Sequence, residues 1–238
     1  MIRLPLLDAD APEQFPAPDR ALTEPNGLLA FGGDLSVTRL LAAYRRGIFP
    51  WFGEGEPILW WSPDPRCVFR TDQLRPNRSL RRQLAGKRWR VSVDQAFEAV
   101  IRGCAAPRGD HSGSWIVPAM IDAYLQLHRQ GHAHSVETWD GERLVGGIYG
   151  VAVGRLFCGE SMFSVDSGGS KVALIALARL LHENGYPLLD AQVANPHTLS
   201  LGATEIPRQQ YLEQVGQLTA QAGHAGSWND LGSRLWQP

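Results

Sequence analysis

The chain has 238 residues, a formal charge of −1 and 44% hydrophobic residues, which is the composition of an ordinary globular protein with a sizeable core. These values exclude an intrinsically disordered, collagen-like or histone-like protein. A basic excess is the usual mark of a nucleic-acid-binding protein, and the total charge shows none. The three scattered cysteines favour a reducing compartment over a disulfide framework or a CxxC metal site.

No secretory signal or membrane span is expected. Asp8 and Asp10 interrupt the start of the chain before an apolar segment can form. The most apolar stretch, KVALIALARLL, contains Arg179 and is shorter than the roughly 20 apolar residues that a span needs. We therefore expect a cytoplasmic protein without membrane contact, and the lack of a heptad pattern favours a monomer.

The first 65 residues predict a small N-terminal α/β domain. Four prolines in the first 20 residues indicate an extended arm. The segment EPNGLLAFGGDLSVTRLLAAYRRGIF then predicts a turn, a short strand and a helix that Ser36 caps and Gly47 ends. A further strand in ILWW is followed by Pro63 and Pro65, which indicate a domain boundary near residue 65.

Residues 66–238 predict a second domain with a mixed α+β fold. WRVSV predicts a strand, DQAFEAVIRGC a helix capped by Asp94, and the segment from Pro118 to Gly131 another helix. HAHSVETW, RLVGGIYGVAVG and RLFCGESMF predict three neighbouring antiparallel strands. A helix over 170–185, the strand PLLDAQV and a helix from Pro207 complete a fold with a mixed, largely antiparallel sheet.

Basic residues are concentrated between positions 66 and 90, where nine Lys and Arg accompany a single acid. If the chain is helical from Asn77, then Arg78, Arg81 and Arg82 fall on one face. A solvated helix surface is the ordinary explanation of such a run. Like charges at this density nevertheless favour contact with phosphate, so the near-zero total charge does not exclude a nucleic-acid partner.

Two tryptophans, Trp51 and Trp115, lie in segments rich in turn residues. Rings in such places usually pack in a core, as we expect for Trp60. Beside a basic face they can instead stack on unpaired bases, which contributes roughly 1–3 kcal/mol per base. The combination favours a single-stranded RNA end over a duplex.

Two further motifs suggest ligand sites only weakly. DSGGSKVAL lacks the spacing of a phosphate loop, which leaves either a generic anion site at Ser170 and Lys171 or an ordinary helix start. His132 and His134 alternate onto one strand face, but no obvious third or fourth ligand accompanies them. We expect a structural or substrate-binding role for this histidine pair and no metal site.

Acidic and amide side chains in two predicted strands are the remaining candidates for chemistry. Asp190 and Gln192 are two residues apart in LLDAQV, which places both on one face of a regular strand. An unpaired carboxylate is costly to bury, so the pair either caps a loop or takes part in chemistry. Glu160, in CGESM, poses the same question. Acidic groups facing a cleft would attract a cationic substrate.

The chain resembles the leucyl/phenylalanyl-tRNA-protein transferases in long motifs that occur in the same order: EPNGLLAFGGDLS, YRRGIFPWF, ILWWSPDPR, GHAHSVE, LVGGIYGV, LFCGESMFS, SKVAL and LDAQVANPHTLSLGATEIPR. The resemblance runs from about residue 15 to residue 211. It implies an enzyme of the N-end rule degradation pathway that moves Leu or Phe from its tRNA to the N-terminal Arg or Lys of a protein. It also implies a small N-terminal domain, a domain similar to the GCN5-related acetyltransferases, and no cofactor.

The resemblance implies roles for three groups of residues. The apolar aminoacyl pocket maps onto Ile148, Phe157, Met162, Leu174, Leu177 and Leu189. Methionine is expected as a weaker donor, because one methylene in such a pocket contributes only about 1–3 kcal/mol. The tRNA-binding positions that the resemblance implies are Trp51, Trp115, Arg78 and Arg82, with Lys87 in place of a basic residue expected near position 85. The basic run adds Arg81 and Arg88 as tRNA-binding candidates. The catalytic candidates are Asp190, Gln192 and Glu160.

The position of Leu189 raises a difficulty, because strand alternation places it opposite Asp190 and Gln192. Either the strand twists there, or one of these assignments is wrong.

The implied reaction is attack of an α-amine on an aminoacyl ester. Such an amine has a pKa of about 7.7–8, so positioning should matter more than a strong base. We expect Gln192 to orient the amine and Asp190 to provide electrostatic support and accept the proton, directly or through water. Glu160 is expected to hydrogen-bond the tRNA terminus or the incoming cation. The ribose 2′-hydroxyl is an alternative proton carrier.

Two other functions remain open from the sequence. An acyl-CoA-dependent N-acetyltransferase would share the implied fold, although DSGGSK lacks the expected pyrophosphate-binding pattern. A non-catalytic RNA-binding protein would explain the arginines but not the apolar pocket or the Asp190 and Gln192 pair.

Overall fold

A computed structural model of the chain describes residues 4–76, 78–86, 89–107 and 115–234. Its N-terminal part forms a four-stranded sheet in the order β1-β2-β4-β3. The strands are β1 (Leu6–Leu7), β2 (Leu28–Gly32), β3 (Phe49–Pro50) and β4 (Leu59–Trp61), with helix α1 (Val37–Tyr44) between β2 and β3. The predicted cap of α1 is confirmed, because the Ser36 hydroxyl accepts a hydrogen bond from the Arg39 amide at 3.3 Å.

A seven-stranded sheet follows, in the order β11-β5-β10-β9-β8-β7-β6. Its strands are β5 (Arg66–Arg70), β6 (Arg90–Val93), β7 (Ala133–Asp140), β8 (Arg143–Val153), β9 (Leu156–Ser164), β10 (Leu188–Gln192) and β11 (Thr204–Ile206). The helices are α2 (Arg78–Leu84), α3 (Phe97–Ala105), α4 (Pro118–Arg129), α5 (Gly169–Glu183), α6 (Pro196–Ser200) and α7 (Arg208–Thr219). Short 3₁₀ helices span Pro18–Arg20 and Asn229–Arg234.

The predicted mixed α+β fold with a largely antiparallel sheet is confirmed, since β10 with β9 is the parallel pair of this sheet among the described strands. Strands β7, β8 and β9 form the predicted antiparallel meander. One local prediction is wrong: Asp94 does not cap α3, whose N-cap residue is Ala96. The Asp94 carboxylate instead accepts the Ser135 amide at 2.9 Å, because the backbone of Asp94 (φ 55°) turns the side chain back toward β7.

The strands β9 and β10 separate part-way along their length. Their parallel pairing ends with Asp190 opposite Cys158, although β9 continues to Ser164. The pairing of β10 with β5 shifts register between Asp190 and Gln192, and Gln192 has a φ of 62°. A bulge with a left-handed residue bends its strand and redirects the side chains that follow. The separation leaves an opening in the middle of the sheet.

Hydrophobic residues form two main clusters on opposite faces of the seven-stranded sheet. One cluster joins the sheet to the N-terminal part and to α1, α3, α4 and α7, and it includes Tyr44, Trp60, Tyr124 and Tyr149. Trp60 is fully buried, as predicted. The other cluster lies beneath α5 and includes Phe69, Phe157, Leu174, Leu177, Leu189 and Trp228. In the described ranges, no helix is both long enough and apolar enough to cross a membrane.

Candidate functional site

A cavity of about 740 Å³ opens where β9 and β10 separate. Its lining comes from β3, β5, β8, β9, β10 and the starts of α5 and α6, together with Trp51 and Trp115. The cavity therefore joins the edge of the four-stranded sheet to the centre of the seven-stranded one.

One part of the cavity wall is apolar. It includes four of the six predicted pocket residues, Ile148, Met162, Leu174 and Leu189. Ile148 is opposite Met162 across β8 and β9, and Leu189 is opposite Phe69 across β10 and β5. Phe69, which is not among the six predicted residues, therefore also lines the pocket.

The other two predicted pocket residues, Phe157 and Leu177, lie behind this wall. Both are buried, and neither borders the cavity. They belong to the same hydrophobic cluster as Leu174 and Leu189, so they support the lining from behind.

The polar part of the wall is centred on Glu160. Its carboxylate accepts hydrogen bonds from the Tyr44 hydroxyl and the Tyr124 hydroxyl, each at 2.8 Å, and from the Gln192 amide nitrogen at 2.9 Å. Tyr44 comes from α1, Tyr124 from α4 and Gln192 from β10. Three separate elements therefore fix one carboxylate at the cavity.

Glu160 is 8% exposed, and burial raises the pKa of its carboxyl to about 7. The hydrogen bonds from Tyr124 and Tyr44 oppose this effect, because they stabilise the ionised form. Burial beside that carboxylate in turn raises the pKa of both tyrosines well above the ordinary value, so they remain donors. A carboxyl with a pKa near 7 can exchange a proton at physiological pH.

Asp190 is fully buried and does not border the cavity. Its two oxygens accept from the Arg66 guanidinium at 2.8 and 2.7 Å, and the Tyr211 hydroxyl donates to it at 2.7 Å. The Gln192 backbone amide donates to the same carboxylate at 2.9 Å. Asp190 thus touches the site by holding the backbone of Gln192.

The bulge in β10 resolves the difficulty that regular alternation created. Leu189 and Gln192 both line the cavity, while Asp190 lies behind them. We expected the side chains of Asp190 and Gln192 to lie on the same face, which holds only for a regular strand. The left-handed backbone of Gln192 breaks that pattern and brings its amide to Glu160.

Trp51 and Trp115, the two tryptophans predicted to bind the tRNA end, both border the cavity. Trp51 is 43% exposed, and its ring lies 5.5 Å from that of Trp61, which donates to the Trp51 carbonyl at 2.7 Å. Trp51 therefore presents an accessible aromatic face at the cavity mouth. Phe49 and His197 also line the cavity and carried no distinct sequence signal.

The basic face of α2 lies outside this cavity. Arg78, Arg81 and Arg82 are exposed there, and the helix is anchored by buried Leu80. A smaller hollow of about 240 Å³ borders Leu80 and shares Lys171 with the main cavity, so the basic helix adjoins the site. Two further predicted tRNA-binding residues, Lys87 and Arg88, lie outside the described residues.

Arg66 differs from the other members of the basic run. It is 1% exposed, bonded to Asp190 and packed between the rings of Phe49 and Tyr211 at 4.8 and 4.6 Å. The prediction that Arg66 contributes to a phosphate-binding face is wrong, because its charge is balanced by the buried carboxylate of Asp190.

The histidine pair is structural at His134, which is buried and bonded through Nδ1 to Asp94 at 2.8 Å. Among the residues that the structure describes, no group of three or more His, Cys, Asp or Glu is arranged to hold a metal ion.

Comparison with known proteins identifies the family. The family model described as leucyl/phenylalanyl-tRNA protein transferase matches residues 68–216, and the model of its N-terminal domain matches residues 33–64. A leucyl/phenylalanyl-tRNA–protein transferase of Xanthomonas axonopodis pv. citri (strain 306) is 60% identical over 94% of this chain and 90% of its own length. The transferase of Shewanella denitrificans is 54% identical over 90% of this chain and 91% of its own length.

The fold has a more distant similarity to a solved structure, that of L-PGS from Bacillus licheniformis. The TM-score is 0.41 and the identity 12%, over 71% of this chain and 56% of that chain. By contrast, the two family models and the match to the Xanthomonas transferase cover most of the sequence. This chain is a member of the leucyl/phenylalanyl-tRNA protein transferase family, and it is an enzyme.

Proposed function

We propose that the protein transfers Leu or Phe, and Met more weakly, from aminoacyl-tRNA to the N-terminal Arg or Lys of acceptor proteins, as in the N-end rule degradation pathway. The observation that carries this proposal is the cavity itself. An apolar wall and a buried carboxylate border the same space, so an apolar side chain and a cationic amine can meet there. Family membership supplies the tRNA donor.

The donor side chain occupies the apolar wall formed by Ile148, Met162, Leu174, Leu189 and Phe69. Burying a Leu or Phe side chain contributes about 1.5–3 kcal/mol, which is enough to select apolar residues but not to separate them sharply. The terminal adenosine lies toward Trp51 and Trp115, where an aromatic face can stack on a base.

The acceptor amine lies beside Glu160 and Gln192. The side-chain N–H of Gln192 already donates to Glu160. The side-chain carbonyl oxygen of Gln192 is therefore left to accept an N–H of the incoming amine. The acceptor reacts as the neutral amine, after its ammonium proton has passed to solvent. As the amine nitrogen bonds to the ester carbonyl carbon, it loses a proton to the ionised Glu160 carboxylate. The tRNA ribose oxygen leaves with the electron pair of the broken ester bond and takes that proton from Glu160, which returns the carboxylate to its ionised form. The product is a peptide bond.

Asp190 acts as a positioning residue in this scheme. The expected role of Asp190 as proton acceptor is not retained, because its oxygens already accept four hydrogen bonds, from Arg66, Tyr211 and the Gln192 amide. Its contribution is to hold Gln192 in the left-handed conformation that brings the amide to Glu160. Glu160 therefore takes over the proton-accepting role.

The exposed arginines of α2 bind tRNA phosphates. We expect the double replacement R78A/R82A to weaken tRNA binding and to lower the slope of log K against log salt by about 1.4 to 1.8, since each phosphate contact contributes about 0.7 to 0.9. Filter binding at several salt concentrations measures this slope. R143A removes an exposed arginine paired with Asp166 on another part of the sheet and serves as the control. An unchanged slope in R78A/R82A contradicts the assignment.

A transfer assay tests the function directly. The protein is incubated with labelled Leu-tRNA and a peptide that begins with Arg, without acetyl-CoA, and the peptide is examined for label. We expect label on this peptide and none on the same peptide with an acetylated N-terminus. Acetyl-CoA-dependent modification would support an N-acetyltransferase, and tRNA retention without transfer would support a non-catalytic RNA-binding protein.

The proposal also includes the domain boundary. The four-stranded sheet ends at Trp61 and the seven-stranded sheet begins at Arg66, which supports a boundary near residue 65 between domains 1–65 and 66–238.

We also infer that the protein is a monomer and that it is located in the cytoplasm. Light scattering during size-exclusion chromatography measures the mass, and a value near 26.2 kDa is expected.

A further inference from the structure

The segment after α7 carries a tryptophan that lies behind the apolar wall of the cavity, in contact with Phe157. Trp228 is outside the matched family model, which ends at residue 216, and it is 1% exposed. Its ring centroid is 5.7 Å from that of Phe157. Phe157 is opposite Leu189, a cavity-lining residue, across β9 and β10. The C-terminal segment thus reaches the apolar pocket from behind.

The indole of Trp228 is held on several sides. It stacks on His134 with ring centroids 4.0 Å apart and an interplanar angle of 7°. Tyr186 meets it edge-on at 5.6 Å. The Trp228 backbone amide donates to Asp94 at 2.9 Å, and Asp94 is itself bonded to His134. These contacts fix the ring in one position.

Glycines allow the backbone of the same segment to lie close to the sheet. A Cβ on Gly223 would lie 2.0 Å from the Gly154 carbonyl oxygen, and one on Gly131 would lie 2.8 Å from the Gly226 Cα. The His224 amide also donates to the Tyr186 hydroxyl at 2.8 Å. The segment is therefore fitted to this surface by contacts that larger residues could not make.

The ring of Phe157 is packed closely by its neighbours. A Cβ on Gly150 would lie 2.5 Å from the Phe157 ring, so the ring packs against the Gly150 backbone as well as against the indole. A substitution at Trp228 would remove the indole from this packing. Phe157 could then move away from Leu189, which would deepen the pocket.

We propose that Trp228 is a specificity-determining positioning residue, which limits the size of the transferred aminoacyl side chain by holding Phe157 against the pocket wall. This inference rests on the proposed transfer of Leu and Phe. It assigns a role to the C-terminal segment, for which the sequence motifs gave none.

The test compares kcat/KM for Leu-tRNA and Phe-tRNA with the same Arg peptide. In W228A the deeper pocket favours the larger donor, so the Phe to Leu ratio should rise about tenfold or more, in the range that small changes in pocket volume produce. W228F keeps a ring against Phe157 and should return the ratio close to the wild-type value. W228L, which retains more of the packing, should give an intermediate ratio and serves if W228A does not fold.

W139A is the matched control. Trp139 lies on β7, packs beneath Arg90 at 4.8 Å and donates to Ser92 at 2.7 Å, and it does not border the cavity. Its loss should lower stability without changing the Phe to Leu ratio. An equal fall of both donors in W228A or W228L, or an unchanged ratio, would overturn the inference. A wild-type protein that transfers neither residue would instead contradict the proposed function.

Discussion

Replacing Glu160 with glutamine is expected to lower the single-turnover rate of leucyl transfer by about 10²- to 10⁴-fold, the range that general acid–base catalysis contributes. The glutamine side chain fills the same space but cannot take the proton from the attacking amine. The affinity for aminoacyl-tRNA should change little, because the donor side chain contacts the apolar wall instead. Rapid-quench assays at saturating tRNA, with filter binding in parallel, measure the two effects separately.

The matched control for this substitution is E137Q. Glu137 is also buried, its pKa is also raised by burial, and it is held by Ser92 and Ser135 without bordering the cavity. This variant should transfer leucine at the wild-type rate. A full rate in E160Q, or an equal loss in both variants, would remove Glu160 from the reaction.

Glu160 also makes stability depend on pH in a defined direction. Its pKa is raised from 4.5 to about 7 in the folded protein, so folding retains a proton that the unfolded chain releases. The free energy of unfolding should therefore fall as pH rises from about 4.5 to 7. The stability of E160Q minus that of the wild type should therefore increase by about 2–3 kcal/mol from pH 5 to pH 8, measured by urea unfolding.

The second large effect is expected for R66M, which should lower the free energy of unfolding by about 3–5 kcal/mol. This change leaves the Asp190 carboxylate fully buried without its cation, and Tyr211 and the Gln192 amide cannot compensate for a whole charge. Urea unfolding at pH 7 measures the loss. Transfer should also fall, because Gln192 loses the support that places its amide at Glu160.

Two further variants distinguish a buried ion pair from a general effect of losing an arginine. R143M removes the partner of Asp166 at the same 2.7 Å separation, but on the surface, and stability should be nearly unchanged. The double variant R66M/D190L removes both buried charges and should recover much of the stability that R66M loses, without recovering transfer. If R66M is as stable as R143M, then Arg66 does not balance Asp190.

Features set by neighbouring residues could be predicted from the sequence. The Ser36 cap of α1, the start of α4 at Pro118 and its end near Gly131 all follow local rules of helix capping. The three strands of the meander follow from alternating apolar residues and the turns between them. Glu160 and Gln192 could be singled out as polar side chains in predicted strands, and the resemblance then suggested their roles.

Features set by distant partners could not be predicted in this way. Tyr44 and Tyr124 reach Glu160 from 116 and 36 residues away, and no local pattern links them. In the sequence Arg66 is part of a basic run, and its pairing with Asp190, 124 residues away, depends on the fold. The bulge at Gln192 depends on how β10 pairs with β5, which propensity does not encode.

The pH dependence of single-turnover transfer, at saturating Leu-tRNA and Arg peptide, tests most directly whether the cavity carboxylate takes the proton. In the wild type the logarithm of the rate should rise steeply with pH below about 7, where both the Glu160 carboxyl and the acceptor amine must lose a proton, and less steeply above it. In E160Q the residual rate should follow only the ionisation of the acceptor amine, without a change of slope near pH 7. A wild-type profile without that change of slope, or the same change of slope in E160Q, would contradict the proposed role of Glu160.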